Sequence, residues 1–353
     1  MRVASIVGAR PQFVKAAMVS RVLREAHEEV LIHTGQHYDA NLSQVFFDVL
    51  GLPEPDMNLG VGSGSQGVQT GKMLEALESV LLDIGPDLVL VFGDTNSTLA
   101  GALAAVKLWQ PVAHVEAGVR SFNRKMPEEI NRVLVDRVSD YLFCPTERSV
   151  EHLEAEGVTK GVHRVGDVML DAALRHEDAA RTKRAHRGWD LERGEYLLLT
   201  IHRPTNADDV RRLRTVLESL DSSGYPILFP THPRTRKVMD RFDLAHRFKE
   251  TLQVVEPVDY LVFLSLLLDA GKVVTDSGGV QKEAFFFEVP CITLREETEW
   301  EETLEGGWNV LVDANPQDIR HALERSPEGA PRREQFGDGH AAEKVVATFD
   351  DPG

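Results

Sequence analysis

The sequence predicts an α/β protein made of two doubly wound parallel sheets that face each other across a cleft. Its 353 residues are typical of two domains of roughly 150 residues each. Short β-branched apolar runs alternate along the chain with longer segments of helical period, and strands that are apolar on both faces indicate parallel sheets covered by helices. The alternation occurs twice in tandem, so two Rossmann-like domains are expected.

Strand candidates recur through both halves of the chain. Those of the first half are residues 3–7, 29–34, 87–92, 111–116, 141–145 and 162–166. Those of the second half are residues 196–202, 226–232, 252–256, 272–279, 290–295 and 309–313. Helical patterns such as 69–84 and 97–109 lie between them, as in a series of βαβ units.

We place the domain boundary in the stretch 166–175. The first domain then covers residues 1–170 and the second residues 171–340. The charged segment 175–195 is typical of a solvated helix or a linker. The end of the chain, 341–353, has a helical pattern. The domain against which this helix packs is left open, and the first domain is one option.

Composition argues against several classes of function. A net charge of −17 is unsuited to nucleic acid, which requires a basic face. The longest apolar run, 261–268, is far shorter than the roughly 18 residues of a membrane span, and no secretory leader is evident, so a cytoplasmic protein without a membrane partner is expected. Cys144 and Cys291 lie in apolar runs and are expected to be buried thiols. No metal is expected, since no cluster of His, Cys and carboxylates has ligand spacing.

Polar residues follow the predicted strands where ligands of parallel sheets bind, beyond the carboxyl ends. In the first half they are Arg10 and Lys15 in GARPQFVK, Gln36 and His37 in TGQHY, Asp94 in GDTNS, and His114 and Glu116 in HVEAGVR. In the second half they are His202 in IHR, His232 in THP, and Ser277, Gly278, Gly279 and Glu283 in DSGGVQKE. Their joint occurrence favours one ligand site.

These residues also have structural interpretations. Asp94 is suited to cap the helix that begins near Thr95, an alternative that the sequence leaves open. His114 and His202 could each be a hydrogen-bonded core histidine. The turn at 277–279 could simply join a strand to a helix, although its small residues also let backbone N–H groups approach a phosphate at the positive end of that helix.

Several motifs follow one another in a fixed order along the chain. They are GARPQFVK, GDT, HVEAGVR, MPEEINR, HR, THP and DSGGVQKE. In this order they resemble the non-hydrolysing UDP-N-acetylglucosamine 2-epimerase family over essentially the whole chain, although each motif by itself is common. The resemblance implies the glycosyltransferase-B architecture, two Rossmann-like domains around a nucleotide-sugar cleft, which agrees with the strand pattern.

For the first half, the resemblance implies cations and acid–base groups. Arg10 and Lys15 match family cations near the diphosphate and the sugar, and Lys15 is also a catalytic candidate. Asp94, Glu116 and Glu128 match carboxylates implicated in proton transfer. Which of them is the acid and which the base is left open.

For the second half, the resemblance implies residues that hold the nucleotide. His202 matches the histidine of the family's H-R motif and is the remaining catalytic candidate. The matching binding residues are His232 beside the diphosphate, Ser277, Gly278 and Gly279 in the phosphate turn, Glu283 at the ribose hydroxyls and Phe263 against the uracil. Phe263 lies in an apolar run that would bury a phenylalanine in any case.

The chain departs from the family pattern at several positions. Many bacterial members carry arginine where this chain has Ser65, and arginine where it has Trp300. The first of those arginines belongs to a regulatory site for a second UDP-N-acetylglucosamine molecule. Gln36, His37 and Gln66 are candidates for that site here, so activation by a second substrate molecule is left open.

The resemblance implies reversible conversion of UDP-N-acetylglucosamine to UDP-N-acetylmannosamine by a homodimer that needs no cofactor. Elimination of UDP to a glycal, followed by re-addition, is the route that it implies. The alternatives left open are a hydrolysing 2-epimerase that releases N-acetylmannosamine and UDP, a UDP-sugar glycosyltransferase of the same fold, and a non-catalytic UDP-sugar sensor. The exact N-acetylhexosamine and the pathway, with surface polysaccharide precursors as one option, are also open.

Overall fold

The computed structural model of the chain describes residues 1–36 and 50–350, the side chain of Arg10 excepted. The chain divides into two compact units. The first unit comprises Met1–Leu174 with Glu334–Gly353, and the second comprises Arg175–Arg333. The sequence-based boundaries lie at 170/171 and 340/341, a few residues from these divisions.

The first unit is built on a parallel sheet. Its strands are β1 Arg2–Val7, β2 Glu28–His33, β3 Met57–Asn58, β4 Leu88–Phe92, β5 Val112–Val115, β6 Tyr141–Cys144 and β7 Val162–Arg164. Their spatial order among the described residues is β3-β2-β1-β4-β5-β6-β7. The sequence analysis missed β3, because it is two residues long and exposed and therefore shows no apolar period.

Helices cover this sheet and complete the alternation. They are α1 Arg10–Ala26, α2 Gln66–Ile84, α3 Asn96–Lys107, α4 Pro127–Val138, α5 Glu147–Ala155 and α6 Val168–Lys183. Strands β1, β4 and β5 are buried almost throughout, as expected for strands packed on both faces. The charged segment 175–195 begins as the end of α6 and continues as a short 3-10 helix, Ala185–Trp189.

The second unit repeats this plan. Its strands are β8 Leu197–Thr200, β9 Ile227–Pro230, β10 Leu252–Val255, β11 Lys272–Thr275, β12 Cys291–Thr293 and β13 Asn309–Leu311, in the parallel order β10-β9-β8-β11-β12-β13. Its helices are α7 Pro204–Ala207, α8 Val210–Asp221, α9 Pro233–Arg241, α10 Leu244–Arg247, α11 Tyr260–Asp269, α12 Gly278–Phe286 and α13 Pro316–Glu324. The 3-10 helices Glu301–Gly307 and Arg333–Phe336 follow β12 and α13. The predicted fold class of two doubly wound parallel sheets is confirmed.

Each sheet reverses its strand order once, and the reversal locates the ligand crevice of such a fold. In the first unit the reversal lies between β1 and β4, and in the second between β8 and β11. The chain leaves these strands at Gly8, Gly93, Ile201 and Asp276. Most of the motif residues predicted from the sequence therefore lie at or beside a switch point.

The last helix, α14 Ala341–Asp350, packs within the first unit. Its first two N–H groups, those of Ala341 and Ala342, donate to the Asp171 carboxylate at 3.1 and 2.7 Å. Near its other end, the ring of Phe349 contacts that of Phe143, with 5.7 Å between centroids. Asp171 thus supplies the cap that the sequence of α14 lacks.

This cap makes stability depend on pH. Burial raises the pKa of Asp171 to about 6 from its ordinary value of 3.8, despite the two N–H donors. Its stabilising contribution is therefore present below pH 3.8 and is lost as pH rises through about 6. Relative to the unchanged chain, the unfolding free energy of Asp171→Asn should increase by roughly 2.5 kcal/mol between pH 4 and pH 7.

Urea unfolding of both chains at pH 4, 5, 6 and 7 measures this difference. Asp178→Asn, which changes an exposed carboxylate on the same helix, should give a curve parallel to that of the unchanged chain. If the Asp171→Asn curve is also parallel, the buried cap does not control this pH dependence.

Both cysteines are buried, as predicted, at 0% exposure for Cys144 and 2% for Cys291. Burial raises the pKa of Cys144 and raises that of Cys291 to about 12, so neither thiol is a nucleophile at neutral pH. None of the helices in the described ranges combines the length and apolar character that a bilayer crossing requires.

Candidate functional site

The turn after β4 brings together candidate residues of the first unit. Gly93 lies there with φ +61°, and its N–H donates to the Val115 carbonyl at 2.9 Å. A Cβ atom at Gly93 would lie 3.1 Å from Lys15 Nζ and 3.4 Å from Glu116 Oε1. Glycine is therefore required both by the left-handed backbone and by the close approach of these two charged groups. Asp94 is the next residue.

Lys15 and Glu116 form a buried ion pair between Nζ and Oε1, with side chains 8% and 11% exposed. The sequence analysis expected Lys15 near the diphosphate and sugar, and the structure joins it to a candidate acid–base group. Helix α1 begins at Arg10, whose side chain lies outside the described part. Glu116 has φ +74°, an uncommon conformation for a residue with a Cβ, and such strain concentrates at functional sites.

Asp94 does not cap a helix, so that interpretation is wrong. The N-cap of α3 is Thr95, whose hydroxyl accepts from the Thr98 N–H at 3.3 Å. The Asp94 carboxylate instead accepts from Arg132 Nη2, and its carbonyl accepts from Asn131 Nδ2 at 2.9 Å. Its side chain is 29% exposed, which leaves a carboxylate accessible beside a fixed cation.

Helix α4 carries Glu128 and the supports of Asp94. Glu128 is half-buried in the first turn. Asn131 and Arg132 follow it at the i+3 and i+4 positions, so the three side chains share one side of the helix. Glu128 therefore lies on the side of α4 that contacts Asp94.

Glu129 organises the loop before α4. It is 1% exposed and accepts from the N–H groups of Ser121 and Phe122, each at 2.9 Å, and from Arg132 Nη1 at 3.0 Å. Within MPEEINR the sequence analysis assigned a role to Glu128 alone. Arg132 follows Glu129 at the i+3 position of the same string, and this spacing is the signal for the ion pair between them.

His114 is a core histidine, as one of its two interpretations held. It is 0% exposed, and its Nδ1 lies 2.7 Å from Asp136 Oδ1. Its Nε2 lies 2.7 Å from the Gly93 carbonyl oxygen. It is therefore enclosed by the protein and does not contact a ligand.

Two of the three regulatory candidates can be located. Gln36 is buried, and its Oε1 accepts from the N–H and the hydroxyl of Ser97 at 3.0 and 2.7 Å. Gln66 Oε1 accepts from Asn96 Nδ2 at 2.6 Å, so both glutamines contact the first turn of α3. His37 lies outside the described residues.

At the switch point of the second unit, Asp276 fixes the turn that carries His202. Asp276 Oδ2 accepts from the N–H of Arg203 at 3.0 Å and from Asn206 Nδ2 at 3.2 Å. Its Oδ1 lies 2.9 Å from His202 Nδ1. Burial alone would raise the pKa of Asp276, but the charge and hydrogen bonds of His202 outweigh it and lower that pKa. His202 is thus bound through Nδ1, its side chain is 48% exposed, and Nε2 is the nitrogen that a ligand can use.

Asp276 is a second residue that sequence reasoning missed. It stands in the quoted string DSGGVQKE, directly after a predicted strand. Roles were assigned to the four residues that match family ligand contacts, whereas Asp276 acts through His202 and the backbone.

Helix α12 presents its amino end beside this turn. Ser277 is its N-cap, and Gly278 and Gly279 are its first residues. A Cβ at Gly278 would lie 2.5 Å from Glu299 Oε1 and 3.0 Å from Trp300 Nε1. Gly278 therefore lets the segment 299–300 approach the helix end, whose free N–H groups and dipole are suited to an anion.

Replacing Gly278 by alanine should disturb this helix end. The added methyl must displace Glu299 or Trp300, and overpacking of this kind costs about 1–3 kcal/mol. We expect the affinity for inorganic pyrophosphate, used as an anionic probe and measured by calorimetry, to fall by roughly tenfold or more. Gly188→Ala, in the same unit with nothing within 4 Å of its added Cβ, should bind pyrophosphate as the unchanged chain does. Equal affinity in both variants would remove the helix end from the binding site.

The remaining binding candidates lie on three helices of the second unit. His232 is exposed at the N-cap of α9, where its Nδ1 accepts from the Arg234 N–H at 3.2 Å. Phe263 is half-buried on α11. Glu283 is 3% exposed on α12, and burial together with the Glu283 charge raises the pKa of Tyr260.

Across the described ranges, no group of three or more His, Cys, Asp and Glu side chains has an arrangement that could hold a metal ion.

Comparison with known proteins gives consistent matches over most or nearly all of the chain. A family model of UDP-N-acetylglucosamine 2-epimerase matches residues 21–350. A UDP-N-acetylglucosamine 2-epimerase homolog of Methanococcus maripaludis is 47% identical over 351 residues, 98% of both chains. The UDP-2,3-diacetamido-2,3-dideoxy-D-glucuronate 2-epimerase of Pseudomonas aeruginosa is 49% identical over 322 residues, 89% of both chains.

A solved structure agrees with the sequence matches. The crystal structure of Methanocaldococcus jannaschii UDP-GlcNAc 2-epimerase in complex with UDP-GlcNAc and UDP has a TM-score of 0.91 and 42% identity, covering 99% of both chains. With its two parallel sheets and its ordered motifs, the chain is a member of the UDP-N-acetylglucosamine 2-epimerase family.

Proposed function

We propose that the chain is a non-hydrolysing UDP-N-acetylglucosamine 2-epimerase that produces UDP-N-acetylmannosamine reversibly and without a cofactor. The observation that carries the proposal is the grouping of Lys15, Asp94 and Glu116 around Gly93. Asp94 directly follows Gly93 and is paired with Arg132, while Glu116 approaches Gly93 and is paired with Lys15, and Gly93 lies at a switch point where ligands of this fold bind. A site that bound only a diphosphate would favour cations rather than carboxylates at positions 94 and 116.

The reaction needs carboxylates because C2 of an N-acetylhexosamine is not acidic. If the C1–O bond breaks first, its electron pair leaves with UDP and positive charge develops at C1. The C2 proton then becomes acidic and passes to a carboxylate, which leaves a double bond between C1 and C2. UDP adds back to C1 while C2 takes a proton from the opposite face, which inverts that centre.

We assign the proton transfers to the carboxylates of the first unit. Asp94 and Glu116 are the principal candidates, with Glu128 on the facing side of α4 as the third. Groups of this kind contribute about 10²–10⁴-fold each. Their ion pairs with Arg132 and Lys15 support the assignment, because each pair fixes the position of its carboxylate.

We assign the nucleotide to the second unit, with Arg10 and Lys15 as the cations that meet the departing diphosphate. The amino end of α12 offers N–H groups to phosphate oxygens, and His202 offers Nε2. Donors that are fixed in advance stabilise the charge that develops on a leaving group. His232 near the diphosphate, Glu283 at the ribose and Phe263 at the uracil complete the proposed set.

A second candidate substrate is UDP-2,3-diacetamido-2,3-dideoxyglucuronate. The Pseudomonas aeruginosa relative named for this sugar is 49% identical, as close as the Methanococcus maripaludis homolog at 47%. Its C2 chemistry is the same, and it differs at C3 and C6. Residues that contact C3 and C6 would therefore distinguish the two sugars.

One experiment separates these functions. The protein is incubated in D₂O with each nucleotide sugar, and the products are followed by NMR. UDP-N-acetylmannosamine deuterated at C2 is expected, whereas exchange of the diacetamido uronate alone selects the second substrate. Free N-acetylmannosamine with UDP assigns the hydrolysing reaction. Binding of UDP without C2 exchange in either sugar leaves a sensor or a glycosyltransferase.

We further propose a cytoplasmic homodimer that supplies polysaccharide precursors and responds to a second UDP-N-acetylglucosamine through Gln36 and Gln66. Size-exclusion chromatography with light scattering tests the dimer. A sigmoidal dependence of rate on substrate, made hyperbolic by Gln66→Ala, tests the activation. A hyperbolic dependence in the unchanged chain would argue against a regulatory role for these glutamines.

A further inference from the structure

A buried network of charges lies behind the turn after β4. The Asp136 side chain is 0% exposed, and its Oδ2 accepts from the Gly118 N–H at 3.1 Å and lies 2.7 Å from Arg120 Nη1. Arg120 also donates from Nε to Glu156 at 2.7 Å. His114 joins this network through Asp136 Oδ1.

The hydrogen bonds of His114 determine its charge. A backbone carbonyl can only accept, so the 2.7 Å contact with the Gly93 oxygen requires a proton on Nε2. Asp136 is a carboxylate, because Arg120 Nη1 lies 2.7 Å from its Oδ2 and the Gly118 N–H donates to the same oxygen at 3.1 Å. The Nδ1 contact therefore also requires a ring proton, and a ring with both protons is an imidazolium.

The imidazolium completes a neutral set. His114 and Arg120 are cations, and Asp136 and Glu156 are anions, so the charges of the four groups cancel. A buried charge persists when it is paired and hydrogen-bonded in this way.

The contact with Gly93 fixes the segment that carries Asp94. The Gly93 N–H is bound to Val115 and its carbonyl to His114, so both peptide groups of this residue are fixed. Lys15 Nζ and Glu116 Oε1 lie beside the Gly93 backbone, within 3.1 and 3.4 Å of the position that a Cβ atom would occupy. A rotation of the peptide between Gly93 and Asp94 would turn Asp94 and disturb the packing of the Lys15–Glu116 pair.

We propose that His114 is a positioning residue. It is held as an imidazolium between Asp136 and the Gly93 carbonyl, and it thereby orients Asp94 and keeps the Lys15–Glu116 pair in position. Its effect on turnover rests on the proposed function, whereas its ring charge and its hold on the turn do not. It touches no reacting atom and acts through Gly93.

The ring charge is tested on the unchanged protein. In a sample labelled with ¹⁵N-histidine at pH 7, the spectrum should show two protonated ring nitrogens for His114. His163 is the internal control, since burial lowers its pKa and its ring should carry one proton. A single ring proton on His114 overturns the proposal, and no variant has to fold for this result.

The hold on the turn is tested with His114→Gln, whose amide cannot donate along both directions of the ring. We expect the amide signals of Gly93 and Asp94 to shift, and kcat to fall by roughly 10- to 100-fold because a small misplacement of a catalytic group has an effect of that size. KM for the nucleotide sugar should change much less than kcat, because most of the nucleotide contacts are assigned to the second unit and, among the described side chains near this turn, only Lys15 is assigned to the diphosphate.

Thermal unfolding confirms that the variant is folded, and His163→Gln is the matched control that should leave kcat unchanged. Unshifted Gly93 and Asp94 signals with normal kcat overturn the positioning role. If the unchanged protein shows no C2 exchange, the proposed function fails, and the amide shifts and ring protons still decide the role of His114.

Discussion

Replacing Asp94 by asparagine is expected to abolish most exchange of the C2 proton while leaving UDP affinity unchanged. Asparagine keeps the shape of the side chain and can still accept a hydrogen bond from Arg132, but it cannot take up a proton. We expect kcat to fall by about 10²–10⁴-fold. Exchange into D₂O followed by NMR measures the loss, and calorimetry with UDP measures binding.

The matched control is Asp140→Asn, the same change at an exposed carboxylate of the first unit that accepts from the Val112 N–H at 2.9 Å. It should exchange C2 at the normal rate. If Asp94→Asn loses UDP affinity but exchanges the sugar normally, Asp94 belongs to nucleotide binding and its proton-transfer role is wrong.

Replacing Lys15 by methionine is expected to have the largest effect on stability. The change leaves the Glu116 carboxylate, 11% exposed, without its Lys15 partner. Breaking a buried ion pair from one side destabilises a protein by about 3–5 kcal/mol, because the remaining charge is desolvated. Denaturant unfolding followed by circular dichroism measures the loss.

The double variant Lys15→Met with Glu116→Gln should recover most of this stability, since it removes both charges. It should remain inactive, because neither the cation nor the carboxylate is present. Lys72→Met, at an exposed position on α2, is the control and should unfold as the unchanged chain does. Equal stability of Lys15→Met and Lys72→Met would contradict a paired, buried state.

The strands were predictable because burial on both faces gives runs of Val, Ile and Leu. β4 and β11 are examples, and their predicted and observed positions overlap. β3 was not predictable, since Met57 and Asn58 are exposed and two residues are too few to show a period. The unit that α14 joins was likewise not predictable, because its contacts are with residues far away in sequence, such as Asp171, which lies 170 residues before Ala341.

For the site, the sequence identified positions but not partners. Asp94 had two interpretations because its string, GDTNS, is compatible with both a cap and a catalytic turn. The structure excludes the cap, since Thr95 occupies that position, and it shows Arg132 beside the carboxylate. His114 had two interpretations as well, and only its contacts with Asp136 and Gly93 distinguish them.

By itself, the amino-acid sequence determined the class of fold, the strand ends that carry chemistry and, through the order of its motifs, the family. These are local properties, because each depends on the period of a few neighbouring residues or on a short string. Tertiary structure decided that Lys15 pairs with Glu116, 101 residues later, and that Arg132 supports Asp94. Such partners are set by which strands become neighbours in the sheet, and hydrophobic periodicity does not encode strand order.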